Sequence, residues 1–214
     1  MGRQSESGDG PTFQAEAALI RRHGGPVAGI DEAGRGPWAG PVVAAAVMLD
    51  PDRAPAGLDD SKRLTARARD DLYDAILAVG DVGVGIAPVE RIDRDNILQA
   101  TLWAMRTACD ALAPPPAAAL VDGNRCPDLP CPAEALVRGD ARSLSIAAAS
   151  IVAKVTRDRI MTDLARAHPG YGWERNKGYG TKDHAAALLR LGVTAHHRRS
   201  FRPVQDALSV SGGR

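Results

Sequence analysis

The stretch PVAGIDEAGRGPWAGPVVAAAVML, residues 26–49, contains two apolar runs separated by a turn rich in glycine and proline. The first run, 26–32, ends in the acidic pair Asp31 and Glu32. The second run, 40–49, is a continuous series of small and β-branched residues. Short apolar runs bounded by Gly and Pro are typical of buried strands. The stretch therefore predicts two neighbouring strands that pair with each other in one sheet.

The rest of the chain alternates between short apolar runs and longer segments with helical periodicity. Further strands are predicted over 81–87, 117–123 and 134–140, and helices over 64–79, 89–112, 144–168 and 183–191. Strands interleaved with helices in this way are typical of an α/β fold with a mixed sheet covered by helices. Both ends of the chain, 1–12 and 209–214, are polar and rich in Gly and Ser, so we predict disordered tails there.

Composition restricts the class of protein. The chain has 214 residues and a mass of 22.5 kDa, which suits one domain with its own core. Three cysteines cannot form a disulfide framework, and Cys126 and Cys131 lack the second pair of ligands that a zinc site needs. The polar N-terminus does not resemble a signal peptide, and no apolar run is long enough for a membrane span. We therefore expect a cytoplasmic protein without membrane association.

Acidic residues stand at the ends of three predicted strands. Asp31 and Glu32 end the first strand, and Asp122 and Asp140 end two later ones. Ligands of α/β sheets bind beyond the carboxyl ends of the strands, and clustered carboxylates repel one another unless cations neutralise them. Such oxygen ligands favour Mg²⁺ or Mn²⁺ together with a substrate phosphate. Each residue alone is equally typical of a turn or a helix cap, so the hypothesis depends on their number.

The segment after the acidic pair has the pattern Gly34-x-Gly36-x-x-Ala39, which loosely matches a dinucleotide-binding loop. That loop requires a helix to follow it, whereas prolines and a predicted strand follow here. Alternatively, the glycines let the backbone approach a sugar–phosphate, so that N–H and C=O groups bind a 2′-hydroxyl. Successive side chains of a strand point to opposite faces, so Asp31 and Glu32 can act together only if the strand twists or ends there. The glycines make such a twist or end possible.

Six motifs occur in an order that resembles the bacterial ribonuclease HII family, the type 2 ribonucleases H. They are DEAGRGPWAGPVVAAAV (31–47), DDSKRL (59–64), VDGNRCP (121–127), RGDARSLSIAAASIVAKVTRDR (138–159), NKGYGTKDH (176–184) and HHRRSF (196–201). The resemblance extends over most of the chain. It implies a ribonuclease H-like catalytic domain over 13–170 and a C-terminal helical, substrate-binding extension over 171–208.

The resemblance also implies an activity. Members of this family cleave RNA in RNA–DNA hybrids, and single ribonucleotides embedded in duplex DNA, on the 5′ side of the ribonucleotide. The products carry 3′-hydroxyl and 5′-phosphate ends. The implied cofactor is Mg²⁺ or Mn²⁺, with two ions in the substrate-bound site, and the implied oligomeric state is a monomer.

The family's functional residues match positions of this chain one by one. Its four metal-binding carboxylates match the strand-end set Asp31, Glu32, Asp122 and Asp140. The candidate substrate-binding residues are Gly34, Arg35, Gly36, Lys62, Asn124, Lys154, Arg157, Tyr179 and Lys182. Among these, the loop 34–36 matches the segment that senses the 2′-hydroxyl, and Tyr179 matches the residue that senses the RNA–DNA junction.

Several of these residues also suit structural roles. Lys154 and Arg157 are three residues apart on one predicted helix and can face a phosphate together, but Asp158 is an equally available ion-pair partner. Ser150 on the same helix suits close packing. The histidines of the segment 196–201 invite a metal site, but its arginines repel cations, which favours a phosphate-facing or sheet-capping role.

Two other functions are compatible with the fold class. A different ribonuclease H-like nuclease, such as a DNA exonuclease or a resolvase, would be indifferent to the 2′-hydroxyl. A non-catalytic module that binds hybrids would lack one of the carboxylates, and none is missing here.

The net charge of +1 averages two opposed parts of the chain. Residues 1–140 contain 14 basic and 21 acidic side chains, a net charge of −7, whereas residues 141–202 contain 12 basic and 4 acidic ones, a net charge of +8. The acidic part contains all four candidate metal ligands. The near-neutral total therefore does not exclude nucleic acid as a substrate, and the asymmetry suits a metal-dependent nuclease.

Overall fold

Five strands form one sheet in the computed structural model, which describes residues 10–211. They are β1 (Val27–Ala33), β2 (Val42–Met48), β3 (Asp81–Ala87), β4 (Ala118–Asp122) and β5 (Ala133–Leu136). Their order is β3-β2-β1-β4-β5, with β1–β2 and β2–β3 antiparallel and β1–β4 and β4–β5 parallel. The predicted mixed sheet is confirmed, and the two strands of the stretch 26–49 pair with each other at its centre.

Seven helices accompany the sheet in the described residues. They are α1 (Gln14–His23), α2 (Ala66–Val79), α3 (Val89–Asp110), α4 (Leu144–Ala167), α5 (Trp173–Asn176), α6 (Lys182–Leu191) and α7 (Arg202–Ser211). The helices α2, α3, α4 and α6 confirm the four predicted helices. The helices α1, α5 and α7 were not among those predictions, and α5 is a single turn of four residues, too short for a periodic pattern.

The strand β2 divides the core into two layers. Ala44 and Ala46 face one apolar cluster, which includes buried residues of α3, whereas Ala45 and Val47 face a second cluster built from α2 and α4. This alternation is the period of two expected of a strand that is buried on both faces. Helices therefore cover both sides of the sheet, and the strand ends remain accessible beyond them.

Gly29 in β1 is a point of very close approach between the sheet and a helix. A Cβ atom at this position would lie 2.2 Å from the carbonyl carbon of Ser145 and 2.3 Å from the backbone nitrogen of Ile146. Only glycine allows β1 and the first turn of α4 to pack at this distance. Because Asp31 follows two residues later on the same face, this contact also determines the position of Asp31 relative to α4.

Two sequence predictions need correction. The strand predicted over 134–140 stops at Leu136, and Asp140 lies in a separate 3₁₀ turn, Gly139–Ala141, because Arg138 has a left-handed backbone with φ of 57° and reverses the chain. The predicted tails are also too long. Thr12 forms a β-bridge with Ser143, and α7 continues to Ser211. The remaining tail residues, 1–9 and 212–214, lie outside the described part of the chain.

No helix within residues 10–211 has the length and hydropathy needed to cross a membrane.

Candidate active site

Three of the four candidate carboxylates meet where β1 and β4 end side by side. Asp31 and Glu32 lie near the end of β1, and Asp122 is the last residue of β4, the parallel neighbour of β1. All three line one cavity of about 350 Å³. Parallel strands end at the same edge of a sheet, so the strand-end pattern in the sequence correctly brought these residues together.

Asp140 approaches this group from its 3₁₀ turn. The backbone N–H of Gly139 donates a hydrogen bond to Oδ1 of Asp122 at 2.7 Å, which ties the turn to the end of β4. Asp140 does not line the cavity, but its Oδ2 lies 3.5 Å from Nζ of Lys62, which does line it. The structure therefore places Asp140 at the edge of the site through Lys62 and Asp122.

Asp31 and Glu32 share the larger cavity, but only Glu32 also lines a second one. Asp31 is only 5% exposed, and its carboxylate accepts hydrogen bonds from the backbone N–H of Glu32 and from Ser150 of α4. Glu32 also lines a second cavity of about 260 Å³ together with Asp122 and residues of α3. Both residues are still paired with β2, so the strand does not end between them; instead the longer Glu32 side chain reaches both cavities.

Burial and mutual repulsion dominate the electrostatics of this group. Burial raises the pKa of Asp31 well above its ordinary value, and the charges of Glu32 and Asp122 raise it further. Burial also raises the pKa of Glu32, although Arg35 opposes this, with Nη1 of Arg35 lying 3.2 Å from Oε1 of Glu32. The pKa of Asp140 is raised by burial and then by Asp122. A group of buried carboxylates that repel one another is stabilised by any cation that binds among them.

The residues of this site suit divalent cations as oxygen ligands, although they do not form a complete metal cage. Among the described residues, no three His, Cys, Asp or Glu side chains form a ready-made metal cage. Mg²⁺ rarely uses such a cage, since it retains water and binds through one or two carboxylates together with substrate phosphate oxygens. The site offers hard oxygen donors whose repulsion a cation would relieve. It therefore suits cations that enter with the substrate better than a permanently bound structural ion.

Most of the predicted substrate-binding residues line one of the two cavities. Tyr179 is 47% exposed, and its ring lies 3.6 Å from where a Cβ on Gly36 would stand. The predicted substrate-binding residues that share the larger cavity with the carboxylates are Gly34, Arg35, Gly36, Lys62, Lys154, Arg157 and Tyr179. Asn124 lines the second cavity. Lys182 is an exposed residue at the start of α6 and lines neither.

Arg157 has internal hydrogen-bond partners, so its predicted contact with a phosphate stays a prediction. Arg157 is 1% exposed, and its guanidinium donates to the backbone carbonyls of Pro41, Lys177 and Ala39 at 2.9, 3.0 and 3.1 Å. All its terminal nitrogens are therefore engaged within the protein. Lys154 remains partly exposed in the cavity, where it forms an ion pair with Asp158 at 2.8 Å.

Three polar residues acquire roles that the sequence did not reveal. Ser150, expected to be a packing residue, contacts Asp31 and lies 2.8 Å from Oγ of Ser61. In the segment 196–201, His197 and Arg198 are buried, which favours the sheet-capping alternative over the phosphate-facing one. The Nε2 atoms of His197 and His184 lie 3.2 Å apart. The only hint in the sequence was that these polar residues fall within motifs.

The helix α1 supports the turn that carries Asp140. Glu16 is fully buried, and its Oε1 accepts hydrogen bonds from Oγ of Ser143 at 2.6 Å and from the backbone N–H of Ser145 at 2.8 Å. Ser143 is the N-cap of α4, and its own N–H donates to the carbonyl of Gly139. A carboxylate at a helix N-terminus is favoured by the helix dipole. Glu16 thus connects the N-terminal helix to the site.

We expect Glu16→Ala to lower the free energy of unfolding by about 2–3 kcal/mol, because it removes two charge-assisted hydrogen bonds and leaves buried donors unpaired. Urea unfolding measures this loss. Glu16→Gln is the matched control, since its amide oxygen accepts the same two bonds, and it should lose less than half as much. Equal losses in both variants would contradict the capping role.

The raised pKa values predict how stability depends on pH. The ordinary values are 3.8 for Asp31 and 4.5 for Glu32, and both are higher in the folded chain. The folded chain therefore retains protons that the unfolded chain has released, so this group's contribution to stability falls as pH rises from about 4 through the raised values. Urea unfolding in EDTA at several pH values gives the free energies of unfolding of Asp31→Asn and of the wild type. The variant's value minus the wild-type value should grow as pH rises from about 4 through the raised pKa values. A difference independent of pH would contradict the repulsion.

The fold and the site together define a ribonuclease H-like nuclease. A family model described as "Ribonuclease HII" matches residues 28–204. The ribonuclease HII of Paramagnetospirillum magneticum is 64% identical over 193 residues, covering 88% of this chain and 96% of that protein. The corresponding protein of Rhodospirillum rubrum is 62% identical over 202 residues, covering 92% and 93%. The crystal structure of ribonuclease H2 from Pyrococcus horikoshii matches with a TM-score of 0.78 at 25% identity, covering 88% of this chain and all of that one.

The chain therefore belongs to the ribonuclease HII family. It is an endoribonuclease that acts on the RNA strand of RNA–DNA hybrids.

Proposed function

We propose that this chain cuts the phosphodiester bond on the 5′ side of a ribonucleotide, both in continuous RNA–DNA hybrids and at single ribonucleotides in duplex DNA. The products would carry 3′-hydroxyl and 5′-phosphate ends. One observation carries the proposal: the carboxylates Asp31, Glu32 and Asp122 line the same cavity as the loop 34–36 and Tyr179. Groups suited to hydrolysis and groups suited to recognising a ribose are thus within one binding site.

The hydrolytic part of the proposal assigns Asp31, Glu32, Asp122 and Asp140 to two divalent cations, Mg²⁺ or Mn²⁺. When bound, such ions supply an activated water and stabilise the departing 3′-oxygen. The protein's own part is to hold the ligands in place. Ser150 and the backbone N–H of Glu32 fix Asp31, and the N–H of Gly139 fixes Asp122.

The recognition part concerns the loop 34–36. The carbonyl oxygens of Gly34 and Arg35 accept hydrogen bonds from Arg198 at 2.6 and 2.9 Å. Within the described residues, the backbone N–H groups of Arg35 and Gly36 have no such internal partner. They are therefore available to a sugar hydroxyl, the group that distinguishes RNA from DNA. The ring of Tyr179 next to Gly36 provides a surface on which the adjoining nucleotide can stack.

Lys62 and Lys154 supply positive charge for phosphates along the same cavity. Both are held by carboxylates, Lys62 near Asp60 and Asp140 and Lys154 by Asp158. A phosphate oxygen can replace one such partner without leaving the ammonium group unpaired. Asn124 in the second cavity, together with Lys182 beyond the two cavities, extends the proposed contact surface for the duplex.

The test uses three duplexes that differ only in sugar: all DNA, one embedded ribonucleotide, and a continuous RNA–DNA hybrid. Each is incubated with Mg²⁺, with Mn²⁺ and with EDTA, and the products are mapped at single-nucleotide resolution. We expect nicking of the second and third duplexes only with a divalent cation, and on the 5′ side of the ribose. Cleavage of the all-DNA duplex at a similar rate would instead identify a nuclease that ignores the 2′-hydroxyl.

We also propose that the protein works in the cytoplasm as a monomer. The three cysteines, Cys109, Cys126 and Cys131, are free thiols, which suits a reducing compartment. The monomer is implied by the family resemblance, and light scattering of the purified chain measures it directly.

A further inference from the structure

Two arginines lie fully buried beneath the loop that precedes β2. Arg157 of α4 is 1% exposed and Arg198 is 0% exposed. Within the described residues, neither has a carboxylate within 4.0 Å. Burying a guanidinium without a carboxylate is unfavourable unless its N–H groups are otherwise satisfied, so such an arrangement points to a specific task. We refer to these two residues as the arginine pair.

Arg198 binds the loop 34–41 from within. Its Nη2 donates to the carbonyl of Gly34 at 2.6 Å and its Nη1 to that of Arg35 at 2.9 Å, while Nε donates to Gly40 at 3.0 Å and Nη2 also contacts Pro41 at 3.2 Å. Four carbonyls of one loop thus converge on one cation. The effect is to turn the carbonyl groups of residues 34 and 35 inward, towards the protein.

Arg157 connects the same loop to the segment that carries Tyr179. It donates to the carbonyls of Ala39 and Pro41 on one side and to that of Lys177 on the other. It passes so close to Gly34 that a Cβ there would lie 1.9 Å from Nε of Arg157. Gly34 has a φ of 97°, so a side chain is excluded both by backbone conformation and by this arginine.

Further contacts hold Tyr179 against the loop. The backbone N–H of Trp38 donates to the carbonyl of Gly178 at 2.8 Å. The carbonyl of Tyr179 lies 2.9 Å from Nδ1 of His184, whose Nε2 accepts from Nε1 of Trp173. The accepting Nε2 leaves the proton on Nδ1, so His184 donates to Tyr179. Tyr179 is thereby fixed on the side of its backbone while its ring stays exposed.

We propose that Arg157 and Arg198 are positioning residues for ribonucleotide selection. Together they hold the loop 34–36 and Tyr179 in one fixed relative arrangement, so that a nucleotide is read at its 2′-hydroxyl and at its stacked neighbour simultaneously. This inference rests on the proposed role of that loop and of Tyr179 in recognition. The arginine pair acts through the backbone carbonyls to which it donates.

The planar guanidinium is required for this task. Arginine presents five N–H donors in a rigid fork, whereas lysine has three donors on one nitrogen and cannot reach carbonyls on both sides. Arg198→Lys and Arg157→Lys therefore retain the charge and most of the volume, but the new side chains cannot donate to carbonyls on both sides. Arg106→Lys is the matched control, because Arg106 also donates to a backbone carbonyl, that of Asp128, and lines neither cavity of the site.

The experiment measures three quantities for each folded variant. For Arg198→Lys we expect kcat/KM on a duplex with one ribonucleotide to fall by at least about tenfold, since small displacements of positioning groups carry such costs. The Kd for an all-DNA duplex of the same sequence should change by less than about twofold, because phosphate contacts dominate that binding. Hydrogen exchange of the protected loop amides of Trp38 and Gly40 should accelerate, while that of β1 stays unchanged.

Wild-type kcat/KM and wild-type exchange in the loop of folded Arg198→Lys would overturn the inference, as would a rise in Kd for the all-DNA duplex as large as the fall in kcat/KM. Arg157→Lys is assessed by the same measurements and additionally should accelerate exchange around Tyr179, so a folding failure of one variant leaves the other to decide. Failure of the proposed function looks different: the wild-type chain would then cleave or bind ribonucleotide-containing and all-DNA duplexes equally.

Discussion

Asp31→Asn is expected to lower the rate of hybrid cleavage by at least about a thousandfold while the variant remains folded and binds the hybrid. Asp31 is the buried member of the carboxylate group, and the structure ties it to Ser150, to its own strand and to the cavity. An amide has nearly the same shape but carries no charge, so it is a poor ligand for a hard cation. Single-turnover cleavage and hybrid binding in EDTA measure the two properties separately.

The same substitution should leave stability unchanged or raise it at neutral pH without metal. Burial and two neighbouring carboxylates raise the pKa of Asp31, which means that its charge is unfavourable in the fold. The matched control is Asp163→Asn on α4, an exposed carboxylate paired with Arg166, which should retain wild-type cleavage. If the cleavage rate of Asp31→Asn were within about tenfold of the wild-type rate, Asp31 would not be one of the catalytic carboxylates.

Gly29→Ala is expected to be strongly destabilising, by about 3 kcal/mol or more. The new Cβ would lie within 2.5 Å of three backbone atoms of Ser145 and Ile146, and backbone atoms of a packed helix cannot move aside as a flexible side chain does. Either β1 or the start of α4 must shift, and Asp31 shifts with β1. Urea unfolding gives the loss of stability, and the cleavage rate at low urea gives the effect on the site.

Gly10→Ala is the appropriate control, because no atom lies within 4 Å of the added methyl group and its backbone conformation is ordinary. It should change the free energy of unfolding by less than about 0.5 kcal/mol. If Gly29→Ala were as stable as Gly10→Ala, the close packing of β1 on α4 would be incorrect, and with it the account of how Asp31 is positioned.

The central strands and three carboxylates were predictable because their signals are local. The apolar runs around Gly29 and Val43 identify β1 and β2, and acidic residues at the ends of parallel strands must meet at one sheet edge. The failure at Asp140 is also local in origin. A left-handed Arg138 turns the chain early, and a non-glycine residue in that conformation gives no clear sequence signal.

The contacts that organise the site were not predictable, since they join segments far apart in the chain. Arg198 binds carbonyls more than 150 positions earlier, and Glu16 caps a helix that begins at Leu144. Arg157 illustrates the limit well. Its motif and charge favoured a phosphate contact, and only the packed structure shows that backbone carbonyls already occupy its guanidinium. Periodicity and charge patterns do not encode such pairings.

The central claim is that the carboxylates at the ends of β1 and β4 hold the catalytic metal ions. The most direct measurement is anomalous X-ray scattering from Mn²⁺ in crystals of the chain bound to a duplex with one non-cleavable ribonucleotide. We expect a Mn²⁺ peak at a coordination distance of about 2.0–2.2 Å from carboxylate oxygens of Asp31 and Asp122, next to the phosphate on the 5′ side of the ribose. A well-ordered duplex in the cavity with Mn²⁺ bound only elsewhere on the chain would contradict it.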